Sequence, residues 1–217
     1  QFETVVWLDS NLYEQQYSSF DCALAIEEFT AIKTDYENAL ETLEEYQKSV
    51  QDYCFGYLSY DLKNASEKLT SSNFDGLGFA DLYFFQPKKL IFIRGNQVEF
   101  HYLNMLDDEM ASDFAQIQNS EPTAEHSGMD VHVNLRIQKE EYKLKVGKIL
   151  EHIHRGDIYE ANFCQEFYAE NAIINPVKVY SQLNEISTPP FACFFRHQEH
   201  YLLSASPERY LRKEGSK

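Results

Sequence analysis

Phe191-Ala192-Cys193-Phe194-Phe195-Arg196, a turn flanked by His197 and His200, and then Tyr201-Leu202-Leu203-Ser204 form the stretch that decides the fold. Two short apolar and aromatic runs joined by a tight turn pair antiparallel. Ser206-Pro207-Glu208 makes a kinked exit from this hairpin into a last extended run, Arg209–Arg212. Upstream, Asn175-Pro176 opens a helix running to about Ile186, with proline at the tolerated first helical position. Gln138–Arg155 is the best-defined helix, with Tyr142, Val146, Ile149, Leu150 and Ile153 on one face and Gly156 ending it. Ile158–Glu170 between these helices reads as a long strand, which would turn Asn162 and Gln165 to different faces.

The N-terminal half reads the same way. Glu3–Leu8 and Phe20–Phe29 are expected strands, and Thr34–Val50 a helix with Tyr36, Leu40, Leu43 and Val50 inward. Tyr53–Tyr60 alternates around Gly56, as where two backbones approach closely. Leu82–Phe85 and Leu90–Arg94 follow as separate strands, and Arg94-Gly95-Asn96-Gln97 supplies hairpin chemistry into Val98–Leu103. Asp107–Ile117 is a short surface helix, and Gln118–Asn134 mixes turn residues and acids without periodicity. The class is mixed α+β with much antiparallel pairing.

At 217 residues the chain can bury a sizeable core, and its 43% hydrophobic content is ordinary for a folded protein. A net charge of -16 argues against nucleic acid and against anionic membrane surfaces. An anionic ligand would need a local cluster of cations, a helix N-terminus or a metal to overcome that field. No apolar run reaches the ~20 residues of a membrane span, and no secretory signal precedes Leu8, so a cytoplasmic protein is expected. Cys22, Cys54, Cys164 and Cys193 lack CxxC pairing and sit in apolar stretches, as reduced, buried thiols do. His152, His154, His197 and His200 read as solvated, and Asp107-Asp108-Glu109 as an acidic helix start. No common nucleotide, hydrolase or metal motif is present.

Three ordered segments carry a resemblance. Gly156-Asp157-Ile158-Tyr159-Glu160-Ala161-Asn162-Phe163-Cys164-Gln165, Pro189-Pro190-Phe191-Ala192, and Ser204-Ala205-Ser206-Pro207-Glu208-Arg209-Tyr210-Leu211 resemble the GD-x-YQ-x-N-x-x-Q, P-[YF] and S-x-SPE-RF-[LI] segments of the chorismate-utilising enzymes. That family includes anthranilate synthase component I and aminodeoxychorismate synthase component I. Leu8-Asp9-Ser10 resembles the Leu-Glu-Ser of anthranilate synthases, of which the p-aminobenzoate branch has looser variants. Tyr17-Ser18-Ser19-Phe20-Asp21 and Gly56-Tyr57-Leu58-Ser59-Tyr60-Asp61-Leu62 are similar to N-terminal segments of the p-aminobenzoate branch, with Ser19 where relatives often carry Arg.

The resemblance implies a large, mixed, mainly antiparallel β-sandwich with flanking helices. Residues 1–125 would form an N-terminal subdomain on the effector side, and 126–217 the start of a truncated chorismate-binding domain. It implies Glu208 as catalytic acid/base, although the bare sequence favours a solvated glutamate beside Arg209. Ser10, Tyr17, Ser18, Ser19, Phe20, Pro190, Phe191 and Ala192 align with a site where relatives hold tryptophan; plain core packing is the alternative. It further implies chorismate as substrate, a glutamine amidotransferase subunit supplying ammonia, and Mg²⁺. The lysine nucleophile and the Mg²⁺ ligands are expected beyond Lys217, so no metal ligand is assigned and this chain alone is expected to be inactive. Within that frame the p-aminobenzoate reading leads, with anthranilate synthesis or a non-catalytic amino-acid-binding module as rivals.

Overall fold

A long, bent hairpin organises the protein, seen in a computed structural model that describes residues 2–14, 17–120 and 131–215. Its strands are β2 (Cys22–Thr34) and β4 (Leu82–Arg94), paired antiparallel over nearly their whole lengths. On the outer side of β4 lie β3 (Phe55–Leu58) and β5 (Gln97–Tyr102), end to end. Beyond β2 come β1 (Thr4–Asp9), β8 (Phe191–His197) and β9 (His200–Ser206), completing a seven-stranded antiparallel sheet.

Pro87 suggests two strands where there is one. The register slips by one residue opposite it, between Glu28 and Thr30. This bulge spares the proline a ladder donor it lacks. Phe85 and Phe92, on either side of Pro87 along β4, share one core. The slip leaves polar groups to satisfy, and Tyr46 satisfies them. Its hydroxyl donates to the Thr30 carbonyl (2.8 Å) and accepts from the Gln86 amide (2.9 Å). Tyr46 belongs to α1 (Ala39–Val50), which starts later than its periodicity suggests because β2 occupies Thr34; Ala39 and Tyr46 face inward and Leu40 is exposed.

The sheet curls. Strands about 4.8 Å apart would put β4 and β8, with β2 and β1 between them, about 14 Å apart in a flat sheet. Yet the rings of Tyr83 and Phe195 are 5.9 Å apart, and Tyr57 on β3 meets Phe195 at 5.4 Å. The concave face holds the main core of Val6, Ala23, Ala25, Phe55, Tyr83, Phe85, Leu90, Phe92 and Phe195. On the other face Trp7, Phe194 and Leu203 pack with Tyr180 of α5 (Pro176–Ser187). His197, expected in solvent, lies against Tyr83 at 4.3 Å and bonds Thr4 at 3.2 Å because the curl folds its turn inward.

Gly56 confirms the close approach: a Cβ there would stand 1.9 Å from the Tyr83 carbonyl oxygen. The helical turn α2 (Lys63–Glu67) and helix α3 (Met110–Asn119) complete this part. Lys89, almost fully buried, ties α3 and the preceding 3-10 turn to the sheet through Asp113 (2.7 Å) and Glu109 (2.6 Å).

Two compact units divide the chain: Gln1–Glu121 with Pro176–Lys217, and Pro122–Asn175. The boundary expected at 125/126 lies outside the described residues. In the second unit, α4 (Lys139–Arg155) ends at Gly156, whose φ is +84°. The long strand expected over Ile158–Glu170 is absent. Only β7 (Phe167–Tyr168) forms, against β6 (Asn134–Leu135), because no other described strand offers a ladder to the rest. Cys164, expected buried, is exposed there. Arg209–Arg212 is likewise not a strand.

Candidate functional site

The register of β1 builds the candidate site. Asp9 stands opposite Cys22 on one side and Ala192 on the other. The residues just past these ends, Ser10, the Tyr17–Phe20 loop and Pro190-Phe191, therefore converge at one end of the sheet. They enclose a cavity of about 590 Å³, within the usual size of a small-molecule site. All eight residues aligned with the second family site line it: Ser10, Tyr17, Ser18, Ser19, Phe20, Pro190, Phe191 and Ala192.

Leu8, Phe20 and Cys193 make an apolar floor, with Phe20 stacked on Phe92 at 5.4 Å. The loop is braced by the β4–β5 turn: Arg94 donates to the Ser19 carbonyl (2.7 Å) and the Gly95 amide to the Asp21 carboxylate (2.6 Å). The Ser10 amide donates to the Asp21 carbonyl (2.9 Å), fixing its backbone. Its hydroxyl is buried and has no hydrogen-bond partner among the described residues, a polar group that a bound molecule could satisfy.

The segment after β9 forms the opposite wall, and the bare sequence gave little sign of it. Arg209 donates to the Tyr17 carbonyl (3.2 Å) and lies over Phe191, while Arg212 lies 4.1 Å over the Tyr17 ring and pairs with Glu214. With Lys213 these are the local cations that a chain of such negative charge needs for an anionic group. Glu214 on this wall and Asp9 at the end of β1 add acids to the lining, so the cavity suits a molecule carrying both charges.

Thiol chemistry finds no support here. Burial and the neighbouring Asp9 push the Cys22 thiol up to about 12, and burial pushes Cys193 up to about 11. Both stay protonated and unreactive at neutral pH.

Glu208 stands outside this cavity, exposed at the kink after β9. Ser206 fixes its backbone, accepting from the Glu208 amide (3.3 Å) and donating to its carbonyl (2.9 Å). The Gly156–Gln165 segment belongs to the second unit. There Arg155 and His152 hold the Asp157 carboxyl below its ordinary range, and Gln165 donates to the Ile137 carbonyl (2.9 Å). Asn162 is exposed. Among the described residues no group of three or more His, Cys, Asp or Glu side chains is placed to hold a metal ion.

A family model described as chorismate binding enzyme matches residues 3–217. The chain belongs to that family. Among curated relatives of this family, an anthranilate synthase component I-like protein of Synechocystis sp. is 30% identical over 165 residues, covering 74% of this chain and 34% of that protein. Aminodeoxychorismate synthase component 1 of Escherichia coli is 33% identical over 78 residues, covering 36% of this chain and 17% of that protein. In structure, the fold matches that of anthranilate synthase component I from Streptococcus pneumoniae with a TM-score of 0.68 and 16% identity, over 91% of this chain and 52% of the other. The chain thus spans about a third of the first curated relative and half of that structure. The expected mainly antiparallel α+β fold of these synthases is present. No described helix is long and apolar enough to cross a membrane.

Proposed function

We propose that this chain is the N-terminal part of an aminodeoxychorismate synthase component I, which converts chorismate and ammonia to 4-amino-4-deoxychorismate. The observation that carries this reading is the family match from residue 3 to 217, which includes the Ser206-Pro207-Glu208 exit. Glu208 serves as the acid/base at the leaving hydroxyl. A carboxyl exposed on a backbone pinned by Ser206 and limited by Pro207 suits proton transfer at a fixed point. The p-aminobenzoate branch is favoured over anthranilate synthesis by Tyr60-Asp61-Leu62 and by the likeness to the aminodeoxychorismate synthase component 1 of Escherichia coli, 33% identical over 78 residues. A glutamine amidotransferase supplies the ammonia, and Mg²⁺ is held by residues outside those described.

The test is product analysis of the full-length protein with chorismate, ammonia and Mg²⁺. Aminodeoxychorismate is the expected product; fluorescent anthranilate, or no turnover, would overturn the assignment. In the same protein Glu208→Gln should cut turnover ~10²–10⁴-fold with little change in KM, the loss typical of a removed general acid. Turnover near wild type would return Glu208 to a solvated role.

The cavity supports a second site for an aromatic amino acid such as tryptophan. Its apolar floor, the Ser10 hydroxyl that no described residue pairs with, and its mixed-charge rim match a flat ring, a ring or backbone donor, and a zwitterion respectively.

A further inference from the structure

Two pieces of left-handed backbone adjoin residues that line this cavity. Asn11 and Leu12, directly after Ser10, have φ of +49° and +59°; Thr188, just before Pro189-Pro190, has φ of +37°. Left-handed backbone is uncommon for residues other than glycine and an outlier for a β-branched one, so it persists only where other contacts hold it. The contacts are specific. Asn11 Nδ2 donates to Asn184 Oδ1 (2.9 Å) and to the Pro189 carbonyl (2.7 Å), and Asn184 Nδ2 returns a bond to Asn11 Oδ1 (3.0 Å). The Asn11 amide is tied to Asp9 Oδ1 (2.8 Å) and the Thr188 amide to the Asn184 carbonyl (2.7 Å).

We propose that Asn11 and Asn184 are positioning residues that set the separation of Ser10 from Pro190, and with it the fit of the cavity to its ligand. Neither side chain lines the cavity; both act through the walls they join. Asn184 lies in the last turn of α5, so the pair also links the cavity to that helix and, through Tyr180, to the outer face of the sheet. Strained backbone clamped on both sides is preorganised, and a ligand then meets walls already in place. The inference rests on the reading of the cavity as an amino-acid site.

The two amides are not equivalent, and this makes the test specific. Asn184→Asp loses one donated bond, the one to Asn11. Asn11→Asp loses two and sets a carboxylate against the Pro189 carbonyl. Calorimetric titration of the full-length protein with L-tryptophan should show affinity falling about fivefold for Asn184→Asp and roughly twentyfold for Asn11→Asp, one and two hydrogen bonds respectively. Ligand-free melting temperatures are measured alongside. Variants that melt lower yet bind tryptophan as tightly as wild type would overturn the inference and leave the pair merely structural. Equal losses in both variants would overturn the geometry given for it. A wild-type protein that binds no tryptophan overturns the cavity reading itself, and this inference with it. Should Asn11→Asp not fold, a Kd for Asn184→Asp equal to wild type suffices to reject the proposal.

Discussion

Replacing Lys89 by methionine removes a charge while nearly keeping the side chain's length, at a place where the sheet is joined to α3. The Lys89 side chain is 5% exposed and its ammonium contacts two carboxylates, Asp113 at 22% and Glu109 at 45% side-chain exposure. Removing one member of a fully buried ion pair costs about 3–5 kcal/mol. Asp113 keeps the Tyr102 hydroxyl (2.8 Å) and some water, which lowers that figure, and half-exposed Glu109 adds at most about 1 kcal/mol. The expected loss is about 2–3 kcal/mol at pH 7. The pH dependence makes the prediction sharper. Burial raises the Asp113 pKa, but the bonds from Lys89 and Tyr102 outweigh it, so the carboxyl sits below its ordinary range. A depressed carboxylate stabilises the fold above its unfolded pKa of about 3.9 and loses that contribution as pH falls through the folded value. Lys89 is raised by the same partners against the pull of burial, and its share is lost only as pH rises through its folded value, above about 10.4. The gap between wild type and Lys89→Met should therefore hold from pH 5 to 9 and close below about pH 4. Urea unfolding followed by the fluorescence of Trp7, the one tryptophan, measures it without adding salt. A gap under 0.5 kcal/mol at pH 7, or one that does not change with acid, would refute the reasoning.

Gly56→Ala should lower the unfolding free energy by about 1–3 kcal/mol, read as a lower urea midpoint, because the new methyl meets backbone that cannot step aside; an unchanged midpoint would show that β3 slides freely on β4. Ser10→Phe should fill the cavity. Tryptophan at a hundredfold excess over its Kd stabilises a binding protein by about 2.7 kcal/mol, and that gain should vanish in the variant. A variant that keeps the full tryptophan shift would place the ligand elsewhere.

Local chemistry was legible wherever one stretch of chain contains its own explanation. The Arg94-Gly95-Asn96-Gln97 turn, the close approach at Gly56 and the His197–His200 turn are of this kind. The eight cavity positions were legible only through resemblance, since nothing local says that β1 pairs on both sides and so gathers Ser10, the Tyr17 loop and Pro190. Where the sequence misled, the partner was distant. The gap expected between Leu82–Phe85 and Leu90–Arg94 is bridged with the help of a bulge on β2 and the Tyr46 hydroxyl from α1. Alternation over Ile158–Glu170 predicts a strand, but alternation supplies faces and not a neighbour. Arg212 and Asn11 went unnoticed because their roles depend on Tyr17 and Asn184, contacts with no spacing signature.

The place of β1 in the sheet bears on how the protein is made. Its pairing with β2 closes a loop of a dozen residues, but its other edge waits for β8, so that Trp7 meets Phe194 across almost the whole chain. At about 5–20 residues per second, a ribosome needs roughly ten to forty seconds to deliver that partner. Throughout that interval β1 carries an open row of amides and carbonyls beside Val6 and Leu8, which invites pairing with the wrong strand. The slow, long-range closure of this seam, rather than any local element, should limit the yield of native protein.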